Sequence, residues 1–105
     1  MKELRFVGTS LADLSRFPTE AKRVAGFELW QVQNGLEPSD WKPMNSVGVG
    51  VREIRIRVGG AWRVLYMAKF AEAIYVLHAF GKKTPRTAQS DIELAAKRYA
   101  EVAKK

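Results

Sequence analysis

The sequence contains no cysteine, a single histidine and no long hydrophobic run. Without cysteine the chain has no disulfide framework, no thiolate zinc site and no cysteine nucleophile. A single histidine excludes a metal centre built on several imidazoles. Because about 18 consecutive apolar residues are needed to cross a bilayer, the sequence predicts no membrane-spanning helix. Charged residues (Lys2, Glu3 and Arg5) occupy the place of a signal peptide's apolar segment, so we expect a cytoplasmic protein without a membrane partner.

The composition is that of one small basic domain. A chain of 105 residues with 47% hydrophobic residues fits a single domain over 1–105 and is too apolar for intrinsic disorder. The formal net charge is +7, and all of it lies in residues 51–105, which hold 12 basic and 5 acidic side chains. This asymmetry favours a polyanionic partner, nucleic acid first. Net charge of this size also serves solubility alone.

The first half of the chain predicts a strand and two helices. Glu3 to Val7 alternates like a short strand, and a short helix is expected over Leu11 to Phe17. Pro18 suits the first turn of a second helix, which Asn34-Gly35 ends. Residues 35–50 are rich in glycine and proline and predict a loop. The two helices are expected to form an antiparallel pair.

From Val51 the hydrophobic period changes to two. A strand to about Val58, the hairpin signal Gly59-Gly60, and strands over 62–70 and 73–80 follow. The last strand is nearly all apolar, which predicts a central strand covered on both faces. A final helix begins between residues 87 and 90. The order β-α-α-β-β-β-α predicts an α+β fold, an antiparallel meander packed against the helical hairpin and the C-terminal helix.

The strand after Val51 places its charges on one side. If Ile54 and Ile56 face the helices, Arg55 and Arg57 project from the opposite face. Across the hairpin and at the end of the last strand, further cations can reach the same rim: Arg63, Lys82 and Lys83. Such a cluster would bind several phosphates, or one phosphate whose charge rises in a transition state. The same pattern also fits a solvated sheet face on which Glu53 pairs with neighbouring arginines.

Few other residues suggest chemistry. By alternation His78 shares a face with Ile74, Val76 and Phe80, which favours a core or supporting histidine over a catalytic one. Tyr99 lies on the apolar stripe of the last helix, so packing is its default role. No carboxylate pair suggests an acid/base couple, and no metal-ligand spacing is present. An enzyme of this sequence would therefore work with cations and backbone groups and without a cofactor or metal.

Several segments together resemble the RelE/HigB toxin superfamily. Residues 51–57 followed by 60–66 are similar to its signature hairpin, with Ile54 for a leucine and Trp62 for a tyrosine. Residues 74–84 look like the next strand and basic turn of the phage-related, HigB-type branch. Residues 41–44 and 91–98 resemble the preceding loop and the closing helix. The resemblance covers residues 40–102 and, in pattern only, the helical hairpin.

The resemblance implies the toxin of a type II toxin–antitoxin pair that enters the ribosome and cuts mRNA. The family reaction is metal-free: the RNA 2′-hydroxyl attacks the adjacent phosphate, and basic residues stabilise the transition state. Carried over by position, the catalytic residues are Arg55, Arg63 and Lys83. The further residues assigned to RNA binding are Arg57, Lys82, Arg86 and His78. The partners implied are the ribosome, mRNA and an antitoxin with a helix-turn-helix fold. The toxin is expected to contact DNA only through its complex with the antitoxin.

The sequence departs from the family pattern at two positions. Glu53 stands where a catalytic cation is expected, and the C-terminal tyrosine of RelE falls near Gln89. Lys82, His78 or Tyr99 are the possible substitutes. The departures keep a second hypothesis open, a ParE-like toxin that poisons gyrase through its helices and cuts nothing. A third is an inert relic or a regulatory binder of nucleic acid.

Overall fold

The N-terminal third forms one strand and two helices. The computed structural model describes residues 1–104, in which β1 spans Glu3–Phe6, α1 Ser10–Ser15 and α2 Thr19–Gln33. Four apolar residues of α2 recur at helical spacing and are buried on one face: Ala21, Ala25, Leu29 and Val32. None of the helices in this described part of the chain is long and apolar enough to cross a membrane.

The remainder of residues 1–104 forms four strands and a helix, and this described part of the chain has an α+β fold with a five-stranded sheet and three helices. The elements are β2 (Trp41–Pro43), β3 (Val51–Arg57), β4 (Ala61–Met67), β5 (Ala73–Gly81) and α3 (Gln89–Ala103). The predicted meander is present, because β4 pairs antiparallel with both β3 and β5. Gly59 and Gly60 have φ of 62° and 139°, which the tight β3–β4 turn requires.

The sheet is mixed, whereas the sequence predicted an antiparallel one. Its strand order is β1-β5-β4-β3-β2, and β1 runs parallel to β5 with Leu4 opposite Ile74. The long connection through the helices allows this parallel pairing, which no hairpin could make. β2, inside the predicted loop, adds an antiparallel edge strand beside β3. β5 therefore lies inside the sheet and is buried as predicted, although β4 is the middle strand.

The helices cover the two faces of the sheet. α1 lies against β5 and α2 against β3, so each packs mainly on the sheet and less on the other helix of the predicted pair. Beneath them is one apolar cluster, which includes Phe17, Leu29, Ile54, Ile56 and Val76. α3 packs on the opposite face over a second cluster, which includes Val51, Leu65, Met67, Leu77 and Ala95. The isoleucines of β3 therefore face α1 and α2, as the alternation predicted.

Candidate functional site

Five basic side chains line one cleft of about 400 Å³ on the α3 face of the sheet, beyond the end of α3. They come from β2, β3, β4 and the residue after β5, and we call this group the cation cleft: Lys42, Arg55, Arg57, Arg63 and Lys82. Pairing in the sheet fixes the arrangement, since Arg55 lies directly opposite Arg63. The backbone N–H of Lys82 donates to the Ala61 carbonyl at 2.8 Å, which holds the end of β5 beside the hairpin.

Arg63 is the most buried cation of the cleft, with 5% of its surface exposed. Its Nη1 donates to the Trp62 carbonyl at 3.0 Å, and its Nε lies 3.4 Å from Glu53 Oε1. Burial lowers the pKa of Arg63, as do the charges of Arg55 and Arg57, while Glu53 opposes the shift. The charged guanidinium is therefore held in an unfavourable environment, which a bound anion would relieve.

Glu53 lies within the positive cluster and is completely buried. Besides Arg63, its Oε1 faces Lys42 Nζ at 3.8 Å, and its Oε2 accepts a hydrogen bond from Thr87 Oγ1 at 2.8 Å. The expectation that Glu53 pairs with a neighbouring arginine is met at Arg63, but the carboxylate is a buried group and not part of a solvated face.

Positive charge remains in excess after the carboxylates are counted. The second carboxylate is Asp40, which is exposed and lies 3.9 Å from Arg55 Nη1. Five cations against Glu53 and Asp40 leave three positive charges over the cleft. Such an excess suits the phosphates of a nucleic-acid strand, which arginine binds with paired donors and lysine as a point charge.

Lys82 lines the cleft, and its pKa is lowered. Burial lowers the pKa of its ammonium group, and the charge of nearby Arg63 lowers it further. Of the three residues that the sequence offered as substitutes for the missing tyrosine, only Lys82 lines the cleft. A lysine whose pKa is lowered gives up its proton more readily, which is the property a general acid needs near neutral pH.

Lys83 and Arg86 lie outside the cation cleft. Lys83 is exposed and lines a smaller, adjoining cleft, which shares Lys82 and Thr84 with the cation cleft. Arg86 is also exposed, in the segment between β5 and α3. The structure therefore brings together four of the seven residues assigned from the sequence, Arg55, Arg57, Arg63 and Lys82, while Lys83, Arg86 and His78 do not line the cleft.

His78 lies on the opposite face from the one predicted by alternation. Leu65 pairs with His78 but Tyr66 pairs with Val76, so Leu77 is an extra residue in β5, a β-bulge. The bulge reverses the alternation and turns His78 toward α3, where its Nε2 lies 2.7 Å from Asp91 Oδ1 and its ring stacks on Phe80. His78 is thus a buried supporting residue, as favoured from the sequence, but it does not share a face with Ile74 and Val76.

Tyr99 is bound at the opposite end of α3 from the cation cleft. Its ring packs on Gly48, where a Cβ would lie 2.6 Å from the ring carbons. Its hydroxyl donates to the Val49 carbonyl at 3.1 Å and accepts a hydrogen bond from Lys69 Nζ, also at 3.1 Å. The packing role expected of Tyr99 is the one the structure gives it.

Three polar residues that make buried contacts were not predicted from the sequence. Lys42 and Thr87 contact Glu53 from β2 and from the segment before α3. Arg98 of α3 is buried, and donates to the Leu77 carbonyl at 2.8 Å and to Thr9 Oγ1 at 2.9 Å. At Gly8, whose φ is +58°, a Cβ would lie 2.7 Å from Arg98 Nε. The sequence signal for Arg98 was its position between Ala95 and Val102 on the apolar stripe of α3, where a charged residue needs buried partners.

An exposed aromatic pair lies on the outer side of α2, away from the cleft. Phe27 and Trp30 are 53% and 49% exposed, and their rings stack with centroids 6.0 Å apart. Within residues 1–104, no group of three or more histidine, aspartate and glutamate side chains is placed to hold a metal ion.

Comparison with known proteins identifies a family. No curated protein matches the chain. Residues 12–100 match the model of the family described as phage derived protein Gp49-like (DUF891), a toxin-like family related to RelE and HigB. The matched segment contains all five residues of the cation cleft and Glu53. The chain therefore belongs to the Gp49-like family of phage-derived proteins, in agreement with the resemblance of its hairpin and basic turn.

Proposed function

We propose that the protein is the toxin of a type II toxin–antitoxin system, of the HigB type, and that it cuts mRNA on the ribosome in the cytoplasm. The observation that carries this proposal is the cation cleft, in which arginines and lysines from four segments surround one volume with an excess of three positive charges. Membership of a toxin-like family related to RelE and HigB supports it.

The reaction that suits this site is transfer within the RNA backbone. The 2′-oxygen forms a bond to phosphorus while the bond from phosphorus to the 5′-oxygen breaks. The 2′-hydroxyl loses a proton and the 5′-oxygen gains one, which leaves a cyclic phosphate and a free 5′-hydroxyl. Arg55 and Arg63, opposite each other in the sheet, stabilise the charge that grows on the phosphate oxygens.

Lys82 is our candidate for the proton donor to the 5′-oxygen. It is the only one of the three substitutes considered for the family tyrosine that lines the cleft, and its pKa is lowered by burial and by Arg63. Arg57 and Lys42 bind flanking phosphates. Lys83 and Arg86, exposed beside the cleft, contact RNA or ribosome further along the strand.

The proposal implies partners besides mRNA and the ribosome. We expect a small antitoxin with a helix-turn-helix fold, and contact with DNA only through the toxin–antitoxin complex. Such an antitoxin neutralises the toxin by covering the cation cleft or by keeping the protein out of the ribosomal A site.

The test is a reconstituted translation reaction in which mRNA 5′ ends are mapped with and without ribosomes. We expect new 5′ ends only when ribosomes are present, and their loss when Arg63 is replaced. Intact mRNA under continued translation would refute the nuclease proposal.

A second candidate is a ParE-like toxin that binds and poisons DNA gyrase without cutting RNA. The exposed stack of Phe27 and Trp30 favours it, because aromatic side chains are enriched at protein interfaces. Under this alternative, Phe27→Ser and Trp30→Ser abolish toxicity while Arg63→Lys leaves it intact. A supercoiling assay with purified gyrase then shows inhibition, and mRNA stays whole.

A further inference from the structure

Glu53 connects three other segments of the chain beneath residues that line the cation cleft. It lies on β3 and is 0% exposed. Its carboxylate faces Lys42 on β2 and Arg63 on β4, and accepts a hydrogen bond from Thr87, which precedes α3. One buried negative charge thus contacts two of the five cations and the segment that follows Lys82.

The bonding of Glu53 differs from that of the other buried glutamate. Glu28, 3% exposed, accepts hydrogen bonds from the Ser39 backbone and hydroxyl and from Gln31, at 2.7 to 3.0 Å. Glu53 Oε1 and Arg63 Nε, by contrast, lie 3.4 Å apart without hydrogen-bond geometry, and neither atom has a hydrogen-bond partner within residues 1–104. A purely structural buried polar group is normally fully bonded, so unpaired groups here call for an explanation.

The geometry leaves part of Arg63 available to a ligand. Its contacts with the protein use Nε, toward Glu53, and Nη1, toward the Trp62 carbonyl. Nη2 is the nitrogen that these contacts leave for an anion in the cleft. Glu53 also offsets the repulsion between Arg55 and Arg63, which face each other across the β3–β4 pair.

We propose that Glu53 is a positioning residue of the cleft, which orients Arg63 toward the scissile phosphate and, through Thr87, holds the segment after Lys82 in place. This inference rests on the proposed function. Because Glu53 carries the opposite charge to the cleft, it also opposes the binding of RNA in the ground state. Glu53 therefore lowers the affinity for RNA while it fixes the orientation of Arg63.

Glu53→Gln separates orientation from packing. The amide keeps the volume of the side chain and an acceptor for Thr87 but removes the negative charge. We expect the variant to bind a single-stranded RNA oligonucleotide three- to tenfold more tightly, and to cleave bound mRNA at least tenfold more slowly under single-turnover conditions. A merely structural defect weakens both. The matched control is Glu28→Gln, a buried carboxylate outside the cleft, which leaves both values unchanged.

Thr87 supplies an independent test that keeps the Glu53 charge. Thr87→Val removes the hydroxyl that donates to Glu53, and Thr87→Ser restores it. We expect a threefold to tenfold loss of single-turnover cleavage in the valine variant and recovery in the serine variant. Equal rates in both variants overturn the coupling.

A spectroscopic readout distinguishes failure of this inference from failure of the proposed function. In ¹⁵N-labelled protein the Nε–Hε resonance of Arg63 should shift in Glu53→Gln, and titration with the RNA oligonucleotide should move it further. If the wild-type protein does not cleave mRNA on ribosomes, the proposed function fails, while the resonance shift and tighter RNA binding still support positioning. An unchanged Arg63 resonance, or weaker RNA binding in Glu53→Gln, overturns the role of Glu53 whatever the cleavage result.

Discussion

The two halves of one sheet face have opposite chemistry. Under α3 the face is apolar, with Leu65, Met67 and Leu77 fully buried. Two residues along β4 from Leu65, beyond the end of α3, it carries Arg63, with Arg55 opposite on β3. Glu53 lies on the boundary between the halves. The covered half supplies stability, and the open half keeps charges that a ligand can reach.

The boundary shows how a small protein maintains clustered cations in a cleft beside its core. Each charge removed from water costs free energy unless it is paired, and like charges opposite one another are destabilising. Glu53 and Asp40 offset part of this cost, and an excess of positive charge remains. The open half therefore holds positive charge that its own carboxylates do not neutralise, and an anionic ligand would offset it.

Leu77→Ala tests the covered half and carries the largest expected effect. Leu77 is fully buried beneath α3, and removal of such a side chain costs about 2–5 kcal/mol in the free energy of unfolding. Urea unfolding measures it, and cleavage per folded molecule should match wild type. Arg57→Ala, an exposed change in the open half, should cost no more than about 0.5 kcal/mol. Equal losses for the two variants would remove the distinction between the halves.

Arg63→Ala tests the open half. Loss of one preorganised donor at a developing charge lowers the rate by about 10²–10³-fold. Arg63→Lys, which keeps the charge but lacks the planar pair of donors, should lie between wild type and alanine. Single-turnover cleavage on programmed ribosomes measures both, and circular dichroism confirms that they fold. A cleavage rate that survives in the alanine variant contradicts the nuclease proposal.

Lys82→Arg separates RNA binding from proton donation in the open half. Arginine keeps the positive charge for RNA binding but does not release its proton, so we expect RNA affinity near wild type and cleavage slowed by about 10²-fold. The pKa of Lys82 is lowered, so its protonated form is lost at a lower pH than that of an ordinary lysine. Wild-type cleavage should therefore fall as the pH rises through that lowered pKa. A pH–rate profile with the same fall in the arginine variant would exclude Lys82 as the proton donor.

Lys42→Ala and Lys83→Ala carry the smallest effects and test where the cleft ends. Lys42 lines the cleft and Lys83 does not. Removing one phosphate contact should lower the slope of log affinity against log salt concentration by about 0.7 for single-stranded RNA. We expect this change for Lys42 and a smaller one for Lys83, in fluorescence anisotropy titrations at several salt concentrations. A larger change for Lys83 than for Lys42 would indicate that bound RNA runs past Lys83, toward α3.

Sequence patterns predicted the hairpin better than they predicted its surroundings. The alternation of Ile54 and Ile56 with Arg55 and Arg57 predicted correctly which residues face the helices, because a strand with one buried face has a strict period of two. At His78 the same rule gave the wrong face, since the bulge at Leu77 inserts one residue and leaves no mark in the local sequence.

Long-range contacts were the part that the sequence could not predict. The convergence of Lys82 with Arg63 follows from strand order and was predicted, whereas Lys83, its neighbour in the chain, lines only the adjoining cleft. Lys42 contacts Glu53 from a segment predicted as a loop, and Thr87 contacts it from the predicted boundary between a loop and the last helix. Loop geometry depends on tertiary packing more than on local propensity, so neither contact could be inferred from spacing.

The parallel pairing of β1 with β5 also determines the stage of protein synthesis at which the sheet can be completed. Leu4 pairs with Ile74, so 70 further residues must be synthesised after this part of β1 before its partner in β5 exists. At about 5–20 residues per second, synthesis of that stretch takes about 4–14 s. Lys82 is made after β5, so the sheet and the cleft are assembled at the same late stage. We therefore expect a nascent chain that stops before β5 to have neither a complete five-stranded sheet nor a complete cation cleft.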